Sequence, residues 1–281
     1  NQSNTKEEIP KGNQQETNSQ KDEEISDKDY LTFLENGDHF FQKKDYENAV
    51  KSFQKAAQIN PNSSQTLLKL GLSYLGDNQV ENAKNSIQNA HNLNPNNTET
   101  KLALVKANIA NRALTDAEKI INSISEITPE VQYQKAVIDI LKNQNEKAKE
   151  TFIKLSETEE LSQELKTKTE NLLKAYETFS IYKESDPIFL DALLAKALGD
   201  NDEHHAAIIV GLDIVNRKNN YRDAWVILGH NYLSIEKPLD AIDSLSKAED
   251  LSPEKPETLF YLGLAYFMNN NIDQAIAYLE K

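Results

Sequence analysis

The sequence predicts an all-α protein, a right-handed α-solenoid of antiparallel helix pairs with one irregular long helix in the middle. The first observation behind this prediction is a constant interval of 34 residues between small side chains, in Gly37 and Gly71, Gly229 and Gly263, and Ala49, Ala83 and Ala117. The second is that prolines keep the same interval, at Pro61, Pro95 and Pro129. The third is that apolar and aromatic residues recur at helical spacing around the small ones.

Packing explains why small residues recur in each copy. A glycine in the first helix of a pair lets the second helix approach closely, and large side chains fill the space around the contact. In the second copy we expect Gly71 to face Ala83, with Leu67, Tyr74 and Ile87 around them. The proline after each second helix ends it.

This spacing with this residue pattern resembles the tetratricopeptide repeat (TPR) family. The stretch 224–253 carries the pattern most fully. The resemblance places copies near 30–63, 64–97, 98–131, an irregular 129–160, 188–221, 222–255 and an incomplete 256–281. Two copies are weaker, because Val105 and Ala195 stand where the glycine is expected.

The copies fall into two arrays because the interval from Ala117 to Ala207 is not a multiple of 34. The predicted N-terminal array spans 28–160 and the predicted C-terminal array spans 187–281. Between them, 161–186 is predicted to form a long non-repeat helix and a connector, because apolar residues recur there at helical spacing. Asp186 and Pro187 are typical of the cap and the first position of the next helix.

Residues 1–27 are polar, and such a composition predicts a disordered tether. It resembles the linker that follows the lipidated cysteine of bacterial lipoproteins, although no cysteine is present in this sequence. An ordinary flexible terminus is the alternative. Localisation therefore stays open, between a membrane-tethered extracytoplasmic protein and a cytoplasmic one.

The composition excludes several classes of function. The net charge is −14 and no basic stripe is present, which argues against a nucleic-acid partner. No apolar run is long enough to cross a bilayer, so no transmembrane segment is predicted. The chain has no cysteine, which excludes thiolate metal sites and a cysteine nucleophile.

No phosphate-binding, metalloprotease or nucleophile-elbow motif occurs, so no enzyme activity, cofactor or metal is predicted. Potential metal ligands are dense only in Asp200, Asp202, Glu203, His204 and His205. This cluster falls in a predicted turn between helices, where polar residues are expected without any metal. It also lacks the central glycine of a calcium loop.

The resemblance implies that four positions of each first helix face a concave groove. Carried over by position, the predicted partner-binding residues are Leu34, Phe41, Leu68, Leu72, Leu75, Tyr133, Val226, His230, Leu233, Phe260, Leu264 and Phe267. The lysine and asparagine with which some TPR domains bind a peptide carboxylate are absent from these positions. The groove is instead apolar, which suits an amphipathic helix or an extended apolar peptide.

The sequence therefore predicts a non-enzymatic scaffold that binds a protein or peptide partner in this groove. A membrane-tethered assembly factor of a bacterial envelope complex is the alternative. Two further expectations are that the chain's own helix at 161–183 covers the groove, weighed evenly against a free groove, and that oligomers form through the C-terminal end.

Overall fold

A computed structural model describes residues 16–182 and 186–281, with side chains described from residue 27 onward. Every regular element in these residues is an α-helix, in agreement with the predicted fold class. The helices are α1 Glu16–Gln42, α2 Tyr46–Ile59, α3 Ser64–Gly76, α4 Val80–Leu93, α5 Thr98–Ala110, α6 Leu114–Asn122, α7 Pro129–Leu141, α8 Asn145–Ser156, α9 Gln163–Ile181, α10 Pro187–Asp200, α11 His204–Arg217, α12 Arg222–Ser234, α13 Pro238–Leu251, α14 Pro256–Met268 and α15 Ile272–Leu279.

Fourteen of the fifteen described helices form seven consecutive pairs, and α9 stands alone. Helix α9 contacts α8 before it and α10 after it, so it occupies one layer of the stack without a second helix of its own. Asp186 caps α10 by accepting a hydrogen bond from the Ile188 N–H at 3.0 Å, and Pro187 is the first helical residue. Both features match the prediction for this helix start.

The first helix begins earlier than the predicted tether allows. Residues 16–27 belong to α1, whereas residues 1–15 of the predicted tether lie outside the described residues. The physical reason is that neither proline nor glycine interrupts 16–36. A polar segment such as 16–27, with three glutamates and no helix breaker, can extend an existing helix because only nucleation is costly.

Small residues meet large ones inside each pair, but the partner of the glycine differs from the predicted one. A Cβ placed on Gly71 would overlap the Ile87 side chain, and the Ala83 carbonyl oxygen lies 3.2 Å away. Equivalent glycines face Phe53, Leu245 and Leu279 in the same way. The predicted Ala83 lies one turn before Ile87 in α4, and it approaches Gly71 through its carbonyl oxygen.

We expect Gly71→Leu to lower the free energy of unfolding by about 1–3 kcal/mol, since the new side chain must displace Ile87 in a packed core. The measurement is the midpoint of chemical denaturation. Gln65→Leu, an exposed position of the same helix, is the matched control. Equal midpoints for the two variants would refute the tight contact between α3 and α4.

The core is continuous through the middle of the chain. One cluster of buried residues runs from α5 to the end of α12, so the two predicted arrays share a core through α9. Smaller clusters lie at each end of the stack. In addition, α11 packs against α5 and α7, which precede it by several helices. Because α9 supplies one helix where a repeat supplies two, the C-terminal array turns back onto the N-terminal one.

Candidate functional site: two concave faces

The first helices of the N-terminal array present a face that the chain itself covers. The turn at 201–203 and the start of α11 lie against this face, and we call residues 201–205 the corner. A cavity of about 360 Å³ remains between the corner and Phe41, Leu72 and Leu75. The sequence left two alternatives open, cover by the helix at 161–183 and a free groove. At Phe41, Leu72 and Leu75 the structure places the corner, which neither alternative named, against the groove.

Asn201 is the centre of the contact between the corner and the rest of the array. Its side chain is 2% exposed. Its Nδ2 donates to the Tyr133 hydroxyl at 3.1 Å and to the Lys168 carbonyl at 2.8 Å, while its Oδ1 accepts from Asn171 Nδ2 at 2.8 Å. One amide thus joins α7, α9 and the corner. Burial, followed by the charge of Glu203, raises the pKa of the Tyr133 hydroxyl well above its usual value.

Glu203 anchors the corner to α5 and α7. Its carboxylate accepts a hydrogen bond from Gln134 Nε2 at 2.8 Å, and Lys106 Nζ lies 3.3 Å from the same oxygen. The Glu203 side chain is 10% exposed, so this pair is better shielded from water than the outer pair of Lys44 and Asp202 at 3.9 Å. The residues of the predicted polar turn therefore make structural contacts between the two arrays.

His205 is the titratable group of the corner that acid should disturb most. Burial, with a smaller contribution from His204, lowers the pKa of His205 to about 4. The other charges that act on it are Lys237, Glu203 and Arg112. The unfolded chain, with a pKa near 6.5, binds the proton more readily than the folded chain does.

We expect stability to be highest above pH 6.5 and to fall as the pH drops toward 4, by up to about 3 kcal/mol from His205. Urea denaturation between pH 7.5 and 4.5 measures this slope. His205→Gln should flatten it, whereas His39→Gln, at an exposed histidine of α1, should leave it unchanged. A slope that is the same in wild type and His205→Gln would contradict the assignment.

A second cavity lies between the first helices of the C-terminal array. It measures about 320 Å³ and opens between α10, α12 and α14. Apolar and aromatic side chains form most of its wall, with several charged residues around them. Its lining includes Lys196, Asp200, Asp223, Val226, His230, Glu257 and Tyr261. The corner, residues 201–205, does not line this cavity.

One side of this cavity is formed by two rings in contact, those of His230 and Tyr261. The His230 and Tyr261 centroids are 5.2 Å apart with the planes tilted by 57°, and Phe260 lies 5.5 Å from Tyr261. Burial is the main cause that lowers the pKa of His230, and His204 adds to it. His230 is therefore neutral at pH 7, and the cavity presents a neutral imidazole next to a phenol.

The predicted partner-binding residues divide into three groups. Leu68, Tyr133, Leu233 and Val226 are less than 9% exposed; the first three lie in the core or beneath the corner, whereas Val226 also lines the C-terminal cavity. Phe41, Leu72 and Leu75 are half-buried on the covered N-terminal face, and Leu34 is half-buried against the core of the first two pairs. On the C-terminal face, Val226 and His230 line the cavity, Leu264 is half-buried, and Phe260 and Phe267 are 56% and 59% exposed.

The carry-over by position missed Tyr261, Lys196 and Asp200, which also line the C-terminal cavity. Tyr261 follows a predicted groove position directly, and its long side chain reaches the cavity from there. The last helix, α15, exposes Ile272, Ile276 and Leu279 by about half of each side chain, which is where the sequence predicts oligomeric contacts. Oligomer formation stays a prediction.

Two findings concern the described residues alone. Within them, no group of three or more His, Asp or Glu side chains is arranged to hold a metal ion, the corner cluster included. Also within them, none of the helices combines the length and the apolar character that a membrane span needs.

Comparison with known protein families accounts for the repeated helix pairs. A profile described as TPR repeat matches residues 37–78, and two described as tetratricopeptide repeat match 74–140 and 228–281. Together they cover more than half of the chain. The chain belongs to the tetratricopeptide repeat family. Members of this family typically act as non-catalytic protein-interaction modules, and this membership supports a protein–protein interaction scaffold.

Solved structures with a similar fold are also TPR proteins. A tetratricopeptide repeat protein from Parabacteroides merdae is 15% identical with a TM-score of 0.43, over 90% of this chain and 91% of that one. MamA is 19% identical with a TM-score of 0.28, over 90% and 88%. YrrB, described as a TPR protein with an unusual peptide-binding site, is 14% identical with a TM-score of 0.36, over 75% and 97%.

No curated protein matches this chain.

Proposed function

We infer that this TPR protein binds a peptide or a helix of a partner protein along the C-terminal concave face, made by α10, α12 and α14. The observation that carries this proposal is the open cavity of about 320 Å³ between these three helices. Its wall combines aromatic side chains with a few polar groups, as ligand sites generally do.

The exposed side chains beside the cavity support the same face. Phe260 and Phe267 are large apolar residues that are more than half exposed on α14, and they lie about two turns apart on the same side of that helix. Exposed aromatic residues next to a concave site are typical anchors in peptide recognition. The N-terminal face is the poorer candidate, because the corner already contacts it through Asn201 and Glu203.

A phage-displayed library of random 16-residue peptides, selected on the full chain, tests this function. Dissociation constants of the enriched peptides are then measured by fluorescence anisotropy. We expect Phe260→Glu to weaken binding at least about tenfold, which corresponds to the loss of one anchoring side chain. Leu31→Glu is the matched control, since Leu31 is 57% exposed on α1 of the other array.

Two outcomes contradict the proposal. One is a selection that enriches no peptide. The other is a set of peptides whose affinity is unchanged by Phe260→Glu, because such peptides bind away from the C-terminal face. The membrane-tethered assembly factor of a bacterial envelope stays a prediction from the composition of the N-terminal segment, most of which lies outside the residues with described side chains.

A further inference from the structure

We propose that the C-terminal cavity selects a basic side chain, a lysine or an arginine, within an otherwise apolar partner segment. This inference rests on the proposed function and adds the chemistry that the cavity recognises. Its size supports a single long side chain as the occupant, because about 320 Å³ is at the low end of the range for ligand pockets.

The charges around the cavity favour a cation. Three carboxylates line it, from Asp200, Asp223 and Glu257, against one ammonium group, from Lys196. The Lys196 charge is already committed, since its Nζ lies 2.6 Å from Asp200 Oδ2. A ligand therefore meets an excess of negative charge at this site.

Glu257 is the carboxylate available to the ligand. Arg222, which stands outside the lining, donates from Nη1 to Asp223 at 2.8 Å and from Nη2 to Thr258 at 2.7 Å. Its Nη2 forms a long ion pair with Glu257, 3.8 Å from Oε2, a distance too long for a hydrogen bond. The Glu257 side chain is 60% exposed and can reorient toward a ligand at little cost.

The aromatic residues suit the same occupant. Tyr261 lines the cavity and the exposed Phe260 stands next to it. A lysine or arginine placed against these rings gains cation–π attraction at its head and apolar contact along its stem. Val226 and Ile227 provide the apolar floor for that stem.

An anionic occupant fits poorly. Of the lining residues, Lys196 is paired with Asp200, and His230 is held neutral by burial. A peptide carboxylate or a phosphate would then lose its hydration next to three carboxylates without gaining a free cation. The partner segment that fits the cavity is basic and apolar.

The peptides enriched by the library described above provide the test. We expect lysine and arginine to be over-represented in them relative to the unselected library. In the best peptides, replacing that residue by norleucine or citrulline should weaken binding to the wild-type chain about tenfold, as expected for a charge-assisted hydrogen bond.

A charge-reversal pair makes the test specific. Glu257→Lys should weaken the basic peptides by a similar factor and should restore binding to versions in which the basic residue is replaced by glutamate. Asp250→Lys, an exposed position of α13 with the same change of charge, is the control and should have little effect.

The outcomes distinguish failure of this inference from failure of the proposed function. Peptides that depend on Phe260 but show no basic preference and no response to Glu257→Lys would overturn this inference and leave the proposed function standing. A selection that yields no binding peptide would overturn both. Recovery of glutamate-bearing peptides by Glu257→Lys alone would support both.

Discussion

Asn201→Ala is expected to lower the free energy of unfolding by about 2–4 kcal/mol, the cost of leaving several buried polar groups without partners. The substitution removes the amide that joins Tyr133, Lys168 and Asn171. The Tyr133 hydroxyl suffers most, because its side chain is 2% exposed and water does not reach it readily. Urea denaturation gives the magnitude.

The location of the effect distinguishes a loosened corner from a general loss of stability. Hydrogen exchange should accelerate in 201–206 and in the facing segments of α5 and α7 more than in α2 or α13. Asp202→Asn is the matched control, since Asp202 is exposed and has a positive φ of 61° that asparagine tolerates. Its carboxylate makes only long pairs, 3.9 Å to Lys44 Nζ and 3.7 Å to His204 Nε2, which contribute little to stability. A uniform change in exchange across all helices would contradict a local role for Asn201.

The repeat pattern predicted the fold because it records packing that recurs in every pair. Gly71 and Gly229 stand where a neighbouring side chain leaves no room for a Cβ, so each copy carries the same local signal. The weak copies fold the same way for the same reason. Val105 and Ala195 are fully buried, and α5 still pairs with α6 and α10 with α11.

The covered groove could not be predicted, because it depends on contacts between residues far apart in sequence. Gln134 and Glu203 are 69 positions apart, and neither belongs to a repeat position that the family pattern describes. Between them in the chain lies α9, the one described helix that has no paired helix, and the regular stacking of pairs is interrupted there. A polar turn that contacts another array has the same composition as a polar turn in solvent, so composition alone does not separate them.

Another missed signal lies in the turns within the pairs. Lys44, Asn78 and Arg112 have positive φ values of 52–58°, and the equivalent Asp202, Glu236 and Asn270 repeat this geometry. These positions keep the interval of 34 residues as faithfully as the glycines do. They escaped notice because their residue types vary: the turn fixes a backbone angle that Asn and Asp accept readily and that Lys, Arg and Glu also adopt in this chain.

The C-terminal cavity was predicted in part. Position alone placed Val226 and His230 on the concave face, and both line the cavity. Position alone also assigned Leu233 to the groove, and Leu233 packs instead against Leu245 and Leu262 in the core. The difference arises because each first helix is wedged between its neighbours, so only part of its inward face stays open.

Leu172→Ala is expected to produce the other large effect, a loss of about 2–5 kcal/mol, the range for removing a fully buried leucine side chain. Leu172 is 0% exposed in α9, within the core cluster that also holds Phe152 of α8 and Leu194 of α10. Helix α9 alone bridges the two arrays at this layer. The space left by Leu172→Ala is therefore expected to weaken the coupling between the arrays more than it weakens either array.

The expected signature is therefore a change in cooperativity as well as in stability. In a solenoid stack the units are coupled mainly to their neighbours, so a weakened layer at α9 favours separate unfolding of the two sides. We expect two resolved transitions for Leu172→Ala in urea, followed by circular dichroism and by the fluorescence of Trp225 on α12. Ile181→Ala, at a 75% exposed position of the same helix, should keep a single transition close to that of the wild type. Coincident transitions for Leu172→Ala would show that the arrays remain coupled without α9, through the contacts of the corner with α5 and α7.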